Sequence, residues 1–279
     1  LKIFKTKAEV ENYLMPLSQS KTVGFVPTMG ALHNGHLSLI RLARQQSDIS
    51  VCSIFVNPTQ FNDPKDLELY PRPVEKDIAL LESEGCDVLF MPDVKEMYPD
   101  EDEAWHIELG DLENILEGKF RPGHYQGVTQ IVKKLFDAVK PDFAFFGQKD
   151  YQQVKVVQRM VEIFQMPVKI IMCPIEREMT GLAMSSRNVR LSADEREKAL
   201  VLYKSLSNTK DHFTAETIEQ LEEEGRELIN GTDDVKLEYF EICDGGSLER
   251  VKTKEPASLV ALVAAWVGKT RLIDNLILK

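Results

Sequence analysis

Short apolar runs of β character alternate with amphipathic stretches through the first two-thirds of the chain. Residues 22–26, 49–56, 88–91, 143–146 and 168–172 are dense in Val, Ile and Phe and too short for buried helices, so they predict strands. Between the third and fourth runs, Val128, Ile131, Val132, Leu135, Phe136 and Val139 recur at i, i+3, i+4 spacing and predict a helix with one apolar stripe. A second stripe, Val154, Val157, Val161 and Phe164, follows Lys149. Strands separated by helices imply parallel pairing, because a parallel pair needs a crossover connection. The expected fold class is α/β: a Rossmann-like open parallel sheet with helices on both faces, binding ligands beyond the carboxyl ends of its strands.

The pattern changes at Cys173-Pro174. A polar stretch reaches Arg190, then two acidic amphipathic segments (193–207 and 215–229) precede β runs at 235–243, 258–265 and 271–278. This predicts a smaller α+β C-terminal domain, with the chain divided into 1–174 and 175–279. Residues 96–111 are irregular and acid-rich and read as a solvated loop.

Charge narrows the function. Lys and Arg number 34 against 45 Asp and Glu, a net charge of −11 over 279 residues. Such a field repels phosphate backbones and anionic surfaces, so neither a nucleic acid nor a membrane partner is expected. The most apolar run, 259–267, is about half the roughly 20 residues a membrane span needs, and the first residues lack a signal-peptide core. Cys52, Cys86, Cys173 and Cys243 form no C-x-x-C pair; reduced, mostly buried thiols and a cytoplasmic location are expected.

The chemistry concentrates where strands end. Val26-Pro27-Thr28-Met29-Gly30-Ala31-Leu32-His33-Asn34-Gly35-His36 runs from the first strand into a helix. Its glycines allow close backbone approach, its helix start favours anions, and its two imidazoles can touch phosphate oxygens. No Walker loop or G-x-G-x-x-G fingerprint occurs, and no Cys or carboxylate beside the histidines completes a metal shell. After the second strand, Asn57-Pro58-Thr59-Gln60 offers uncharged groups suited to hydroxyls. After the fourth, Gly147-Gln148-Lys149-Asp150 places a cation and a carboxylate at a helix start, and Met184-Ser185-Ser186-Arg187 offers hydroxyls and a guanidinium. Tyr70-Pro71-Arg72 and Arg121-Pro122-Gly123-His124 read equally well as structural. The excess of phosphate-binding groups on an acidic chain implies a nucleoside triphosphate. Transfer would be driven by positioning and fixed charge, since no protein nucleophile is set up.

These segments, together with Gly181 to Asn188 and the closing Thr270-Arg271-Leu272-Ile273-Asp274-Asn275, resemble the pantoate–β-alanine ligase family of the H-x-G-H nucleotidyltransferase-like group. The resemblance implies an ATP-dependent ligase that condenses (R)-pantoate with β-alanine to pantothenate through a pantoyl adenylate. Pyrophosphate and AMP would be released, and Mg²⁺ would accompany ATP. It implies an ATP site of Met29, Gly30, Ala31, Leu32, His33, Asn34, Gly35, His36, Gly147, Gln148, Lys149, Asp150, Glu176, Met184, Ser185, Ser186 and Arg187. His33, His36 and Lys149 would be catalytic, Gln60 and Gln153 would hold pantoate, Gln60 would border β-alanine, and Asp77 would reach Mg²⁺ through water. A homodimer is implied as well. Thr180, Gln130 and Glu176 depart from the family pattern and bear on loop closure and ATP affinity. Another H-x-G-H nucleotidyltransferase and a non-catalytic nucleotide-binding regulator are the alternatives.

Overall fold

The computed structural model describes residues 1–62, 64–99 and 104–279. Six parallel strands, β1 (Lys2–Phe4), β2 (Val23–Thr28), β3 (Ile49–Ile54), β4 (Val88–Phe90), β5 (Phe143–Gly147) and β6 (Lys169–Cys173), form one sheet in the order β1-β4-β3-β2-β5-β6. Apart from the short edge strand β1, this is the doubly wound order 3-2-1-4-5. The chain steps outward from β2 through β3 to β4, then returns to the other side of β2 with β5. The order therefore reverses between β2 and β5, and in sheets of this kind ligands bind beyond the carboxyl ends at such a switch point.

Side-chain alternation along the strands builds two cores. Phe25, Val51, Phe90 and Phe146 face one layer with Val128, Val132, Leu135 and Phe136 of the helix His124–Val139. Their neighbours Val26, Cys52, Leu89 and Phe145 face the other, with Leu39, Ile40 and Ala43 of the helix Asn34–Gln46. Both faces of the sheet are thus covered, which is why its strands read as continuous apolar runs.

The acid-rich segment is not solvated throughout. Ile107 and Leu109 are buried in the first core, and Trp105 packs against it while donating to Thr129 Oγ1 at 3.0 Å. Its acidic residues masked the alternate apolar positions; residues 100–103 lie outside the described residues.

Tertiary contacts divide the chain into two compact units. The first comprises 1–147 and 152–173, and the second 148–151 and 174–279. The second holds an antiparallel sheet of β7 (Val235–Asp244), β8 (Leu259–Val267) and β9 (Thr270–Ile277), with β8 central. The apolar run noted in the sequence is this central strand. The helices Ala193–His212 and Ile218–Asn230 supply Leu202, Leu206 and Leu221 to the core beneath Phe240 and Val263. A capping box at Thr217 and Gln220 starts the second of these helices later than periodicity alone indicates. No helix among the described residues is long and apolar enough to cross a membrane.

Candidate active site

β2 ends at Thr28, whose hydroxyl donates to Ser53 O (2.7 Å) and accepts from Gly30 N (3.1 Å), so the loop starts from a fixed point on the sheet. Gly30 (φ +79°) and Ala31 (φ +50°) then turn through the left-handed region. A Cβ at position 30 would come within 3.0 Å of Asp77 Oδ2 and Ile54, which explains the glycine. Alanine at position 31 carries strain of about 1–2 kcal/mol, and Asp77 opposes it. Ala31 N donates to Asp77 Oδ2 and Leu32 N to Oδ1, each at 2.8 Å. Asp77, on the helix Val74–Ser83, is 1% exposed. Burial raises its pKa, against the opposing pull of the Leu32 and Ala31 amides.

His33 caps the next helix: its Nδ1 accepts from Gly35 N at 3.1 Å. That bond leaves Nδ1 without a proton and places the neutral ring's N–H on Nε2. The His36 ring lies 4.1 Å from that of His33, centroid to centroid, tilted by 34°. Both rings are half-buried, and Asn34 between them is exposed. The loop amides expected to face an anion are largely engaged from within: Gly30 by Thr28, Ala31 and Leu32 by Asp77, Gly35 by His33. To an anion the loop thus offers imidazoles and a helix dipole more than a ring of open amides.

The turn after β3 is held against this loop. Pro58 opens the 3₁₀ turn Pro58–Gln60, and Gln60 Nε2 reaches Met29 Sδ at 2.8 Å. Asn57 is 1% exposed and braces the turn rather than facing a ligand. Its Nδ2 donates to Gly127 O (3.0 Å) and to Gln60 Oε1 (3.2 Å), and its Oδ1 accepts from the Tyr98 hydroxyl (2.7 Å). The buried His124 donates from Nδ1 to Gln60 O at 2.8 Å. Gly127 allows the helix this close; a Cβ there would meet Thr59 O at 2.4 Å and Gln60 N at 2.9 Å. His124 and Gly127 were not singled out from the sequence for this role. Their one signal was the motif opening that helix.

Other candidates fall elsewhere. Arg72 is structural, donating to Tyr70 O (2.8 Å) and Leu67 O (2.9 Å). Gln153 is half-buried at the start of the helix Tyr151–Ile163. Its neighbour Gln152 is buried and ties down Leu112, Ile115 and Glu117. Gly147 closes β5 with open space where a side chain would stand.

In the second unit, Lys149 lies 3.6 Å from Asp150 and shares a small cleft with Ser185, Asn188 and Asp274. Ser185 caps the 3₁₀ turn Ser186–Arg190 by accepting from Arg187 N at 3.2 Å, so Met184, Ser185, Ser186 and Arg187 sit half-buried on an ordered turn. Glu176 and Met184 are joined by a Met184 N to Glu176 O bond (2.9 Å). The two form the base of a hairpin with exposed Thr180 and left-handed Gly181 at its tip. Gln130 is half-buried within the first unit. Among the described residues the group of three close metal-ligating side chains is His212, Glu216 and Glu224, in the second unit. Asp77 has both oxygens on amides and is shut from solvent, so it does not offer Mg²⁺ an open carboxylate.

The sequence profile of the pantoate-beta-alanine ligase family matches residues 2–277. The chain belongs to that family. Relatives called pantothenate synthetase include those of Thermotoga petrophila, 49% identical with both chains fully covered, and Porphyromonas gingivalis, 46% identical over 99% of each chain. The pantothenate synthetase structure from Thermus thermophilus superposes with a TM-score of 0.95 at 40% identity, covering 100% of this chain and 99% of that one. The pantoate-beta-alanine ligase of Francisella tularensis, 37% identical with a TM-score of 0.82, covers 99% of this chain with 97% of its own. That structure was solved with beta-gamma ATP and beta-alanine. The ligase fold, both sheets included, is thus the one expected from the strand pattern.

Proposed function

We propose that this ligase works in two half-reactions at the carboxyl ends of β2 and β5. A pantoate carboxylate oxygen attacks the α-phosphorus of Mg²⁺-bound ATP, forming the acyl adenylate as the bond to pyrophosphate breaks. The β-alanine amine then attacks the acyl carbon, and AMP leaves with the electron pair of the broken acyl–oxygen bond. The ATP and β-alanine carried by the Francisella tularensis structure support both substrates. Mg²⁺ would be held by the triphosphate oxygens and would offset their charge, since both Asp77 oxygens already accept from Ala31 and Leu32 amides.

The carrying observation is the 2.8 Å contact of Gln60 with Met29. It sets the amide that would hold pantoate against the loop that would hold ATP, so nucleophile and phosphorus meet without a large search. His33 Nε2–H, fixed by the cap on Nδ1, and His36 donate toward phosphate oxygens. Lys149 places a cation where charge builds at the α-phosphorus. Gly147, Gln148 and Asp150 would hold ribose and α-phosphate, Gln153 would hold pantoate with Gln60, and Glu176 would line the adenine side. Met184, Ser185, Ser186 and Arg187 would hold the phosphates. Four buried free thiols suit a reducing cytoplasm, and the family resemblance implies a homodimer.

The test is pyrophosphate release from ATP and Mg²⁺ without β-alanine, with and without D-pantoate. Pantoate-dependent release that His36→Ala abolishes supports the reading; ATP binding with no release overturns it.

A further inference from the structure

The closing Thr270-Arg271-Leu272-Ile273-Asp274-Asn275 motif has no part in the chemistry above, yet its last two residues are buried polar groups in the middle of β9. Asp274 is 4% and Asn275 1% exposed. Asn is disfavoured inside strands, and a buried amide is costly unless every bond is made. Here the bonds are made to a segment 126 and 127 residues away. Asn275 Nδ2 donates to Gln148 O (2.9 Å) and to Lys149 O (3.0 Å), while its Oδ1 accepts from Gln148 Nε2 (3.1 Å). Both Nδ2 protons are therefore spent on consecutive carbonyls of the turn that carries Lys149. All of these groups lie within the second unit.

Asp274 fixes the strand from which that amide projects. Its carboxylate takes both Arg177 nitrogens, NH1 at 2.6 Å and NH2 at 2.9 Å, and accepts from Asn275 N at 2.8 Å. Arg177 in turn donates to Gly181 O (3.1 Å) and lies 4.0 Å over the Tyr203 ring. One connected network thus runs from the hairpin ahead of Ser185 through β9 to the Lys149 backbone.

We propose that Asn275 is a positioning residue for adenylation: it sets the backbone from which Lys149 reaches the α-phosphate. This rests on the role assigned to Lys149 above. Its geometry admits no substitute of similar size, because Asp would set a carboxylate against two carbonyls and Leu would leave both unsatisfied. A residue acting through Lys149 lowers kcat more than it raises KM for ATP, and its effect vanishes once Lys149 is gone.

The experiment is a double-mutant cycle on pantoate-dependent pyrophosphate release, using Asn275→Ser, Lys149→Ala and the pair in the full-length enzyme. Asn275→Ser is expected to lower kcat about tenfold or more with KM for ATP changed less than about threefold, and to cost less than about twofold in the Lys149→Ala background. An equal loss in both backgrounds, or parent-like kcat, overturns the proposal. Parent-like kcat for Lys149→Ala alone overturns the reading of Lys149 instead. Should Asn275→Ser melt below the assay temperature, the cycle is run below its melting point, with Asn275→Thr as a second variant that removes the same amide and suits a strand. The same non-additivity with Lys149→Ala is then expected, and additivity overturns the proposal.

Discussion

Asp77→Asn separates two opposing terms in the loop that precedes the histidines. Asparagine keeps the shape of the side chain but turns one acceptor into a donor, so either Ala31 N or Leu32 N faces an NH₂ group. A buried N–H left unpaired costs about 1–3 kcal/mol. Discharging the side chain works the other way, because burial raises the Asp77 pKa and its ionised form is the disfavoured one. Both carboxylate bonds are short, at 2.8 Å, and Ala31 must still be held at positive φ. The bonds should therefore outweigh the relief, leaving the loop less stable by about 1–2 kcal/mol. Hydrogen exchange at Ala31 and Leu32 reads this locally, without requiring the two units to unfold together. A loss of that size speeds exchange through local opening by roughly 5- to 30-fold. Unchanged or slower exchange would show that charge burial dominates and that the carboxylate does not hold the loop.

Gly127→Ala should drive a methyl group into the backbone of Thr59 and Gln60, displacing the turn; KM for pantoate is expected to rise about tenfold or more in steady-state assays, with far-UV dichroism unchanged. The acid response should differ in sign between carboxylates. Thr22 holds Asp48 below its ordinary pKa through its amide and hydroxyl, so that stabilisation is present above about pH 4 and lost as pH falls through the lowered value. Asp77 and Asp274, raised by burial, instead take up protons before the unfolded chain does, so their contribution grows as pH falls. Urea midpoints measured from about pH 3 to pH 5 should accordingly lose part of their acid slope in Asp48→Asn and steepen in Asp77→Asn; the same slope in all three proteins contradicts this. The thiols should resist modification, because burial pushes Cys86 to about 11 and Cys173 to about 12 and raises Cys52 and Cys243 as well. An aromatic disulfide reagent near pH 8 should label fewer than one thiol per chain within minutes and all four in denaturant.

The sheet was legible because its strands are buried on both faces and leave uninterrupted apolar runs. β1 was missed: three residues at the edge, mostly exposed, leave no run to detect. The helix Lys7–Leu14 behind it did carry a signal, the Thr6-x-x-Glu9 capping box, which local chemistry reveals and apolar periodicity does not. At the site, motifs after strands pointed to the histidine loop, Gln60 and Lys149. The supports beneath them were not legible. Asp77, His124, Gly127 and Asn275 act through backbone groups dozens of residues away, and a hydrogen bond to a carbonyl or amide leaves no pattern around the residue that makes it. The hydroxyl-binding role expected of Asn57 failed for that reason: its side chain is consumed by Gly127, Gln60 and Tyr98.

Residues 148–151 belong by connection to the first unit and by contact to the second, where Tyr151 also donates to Gly245 O at 2.9 Å. The polypeptide thus enters the second unit twice, although composition suggests a single crossing near Cys173-Pro174, between residues 1–174 and 175–279. A cut or graft at that point separates β9 from Gln148 and Lys149, whose carbonyls Asn275 holds. Exchanging residues 174–279 between relatives therefore transplants a socket without its plug, and a chimera keeps Lys149 in register only if residues 148–151 travel with the sheet that holds them.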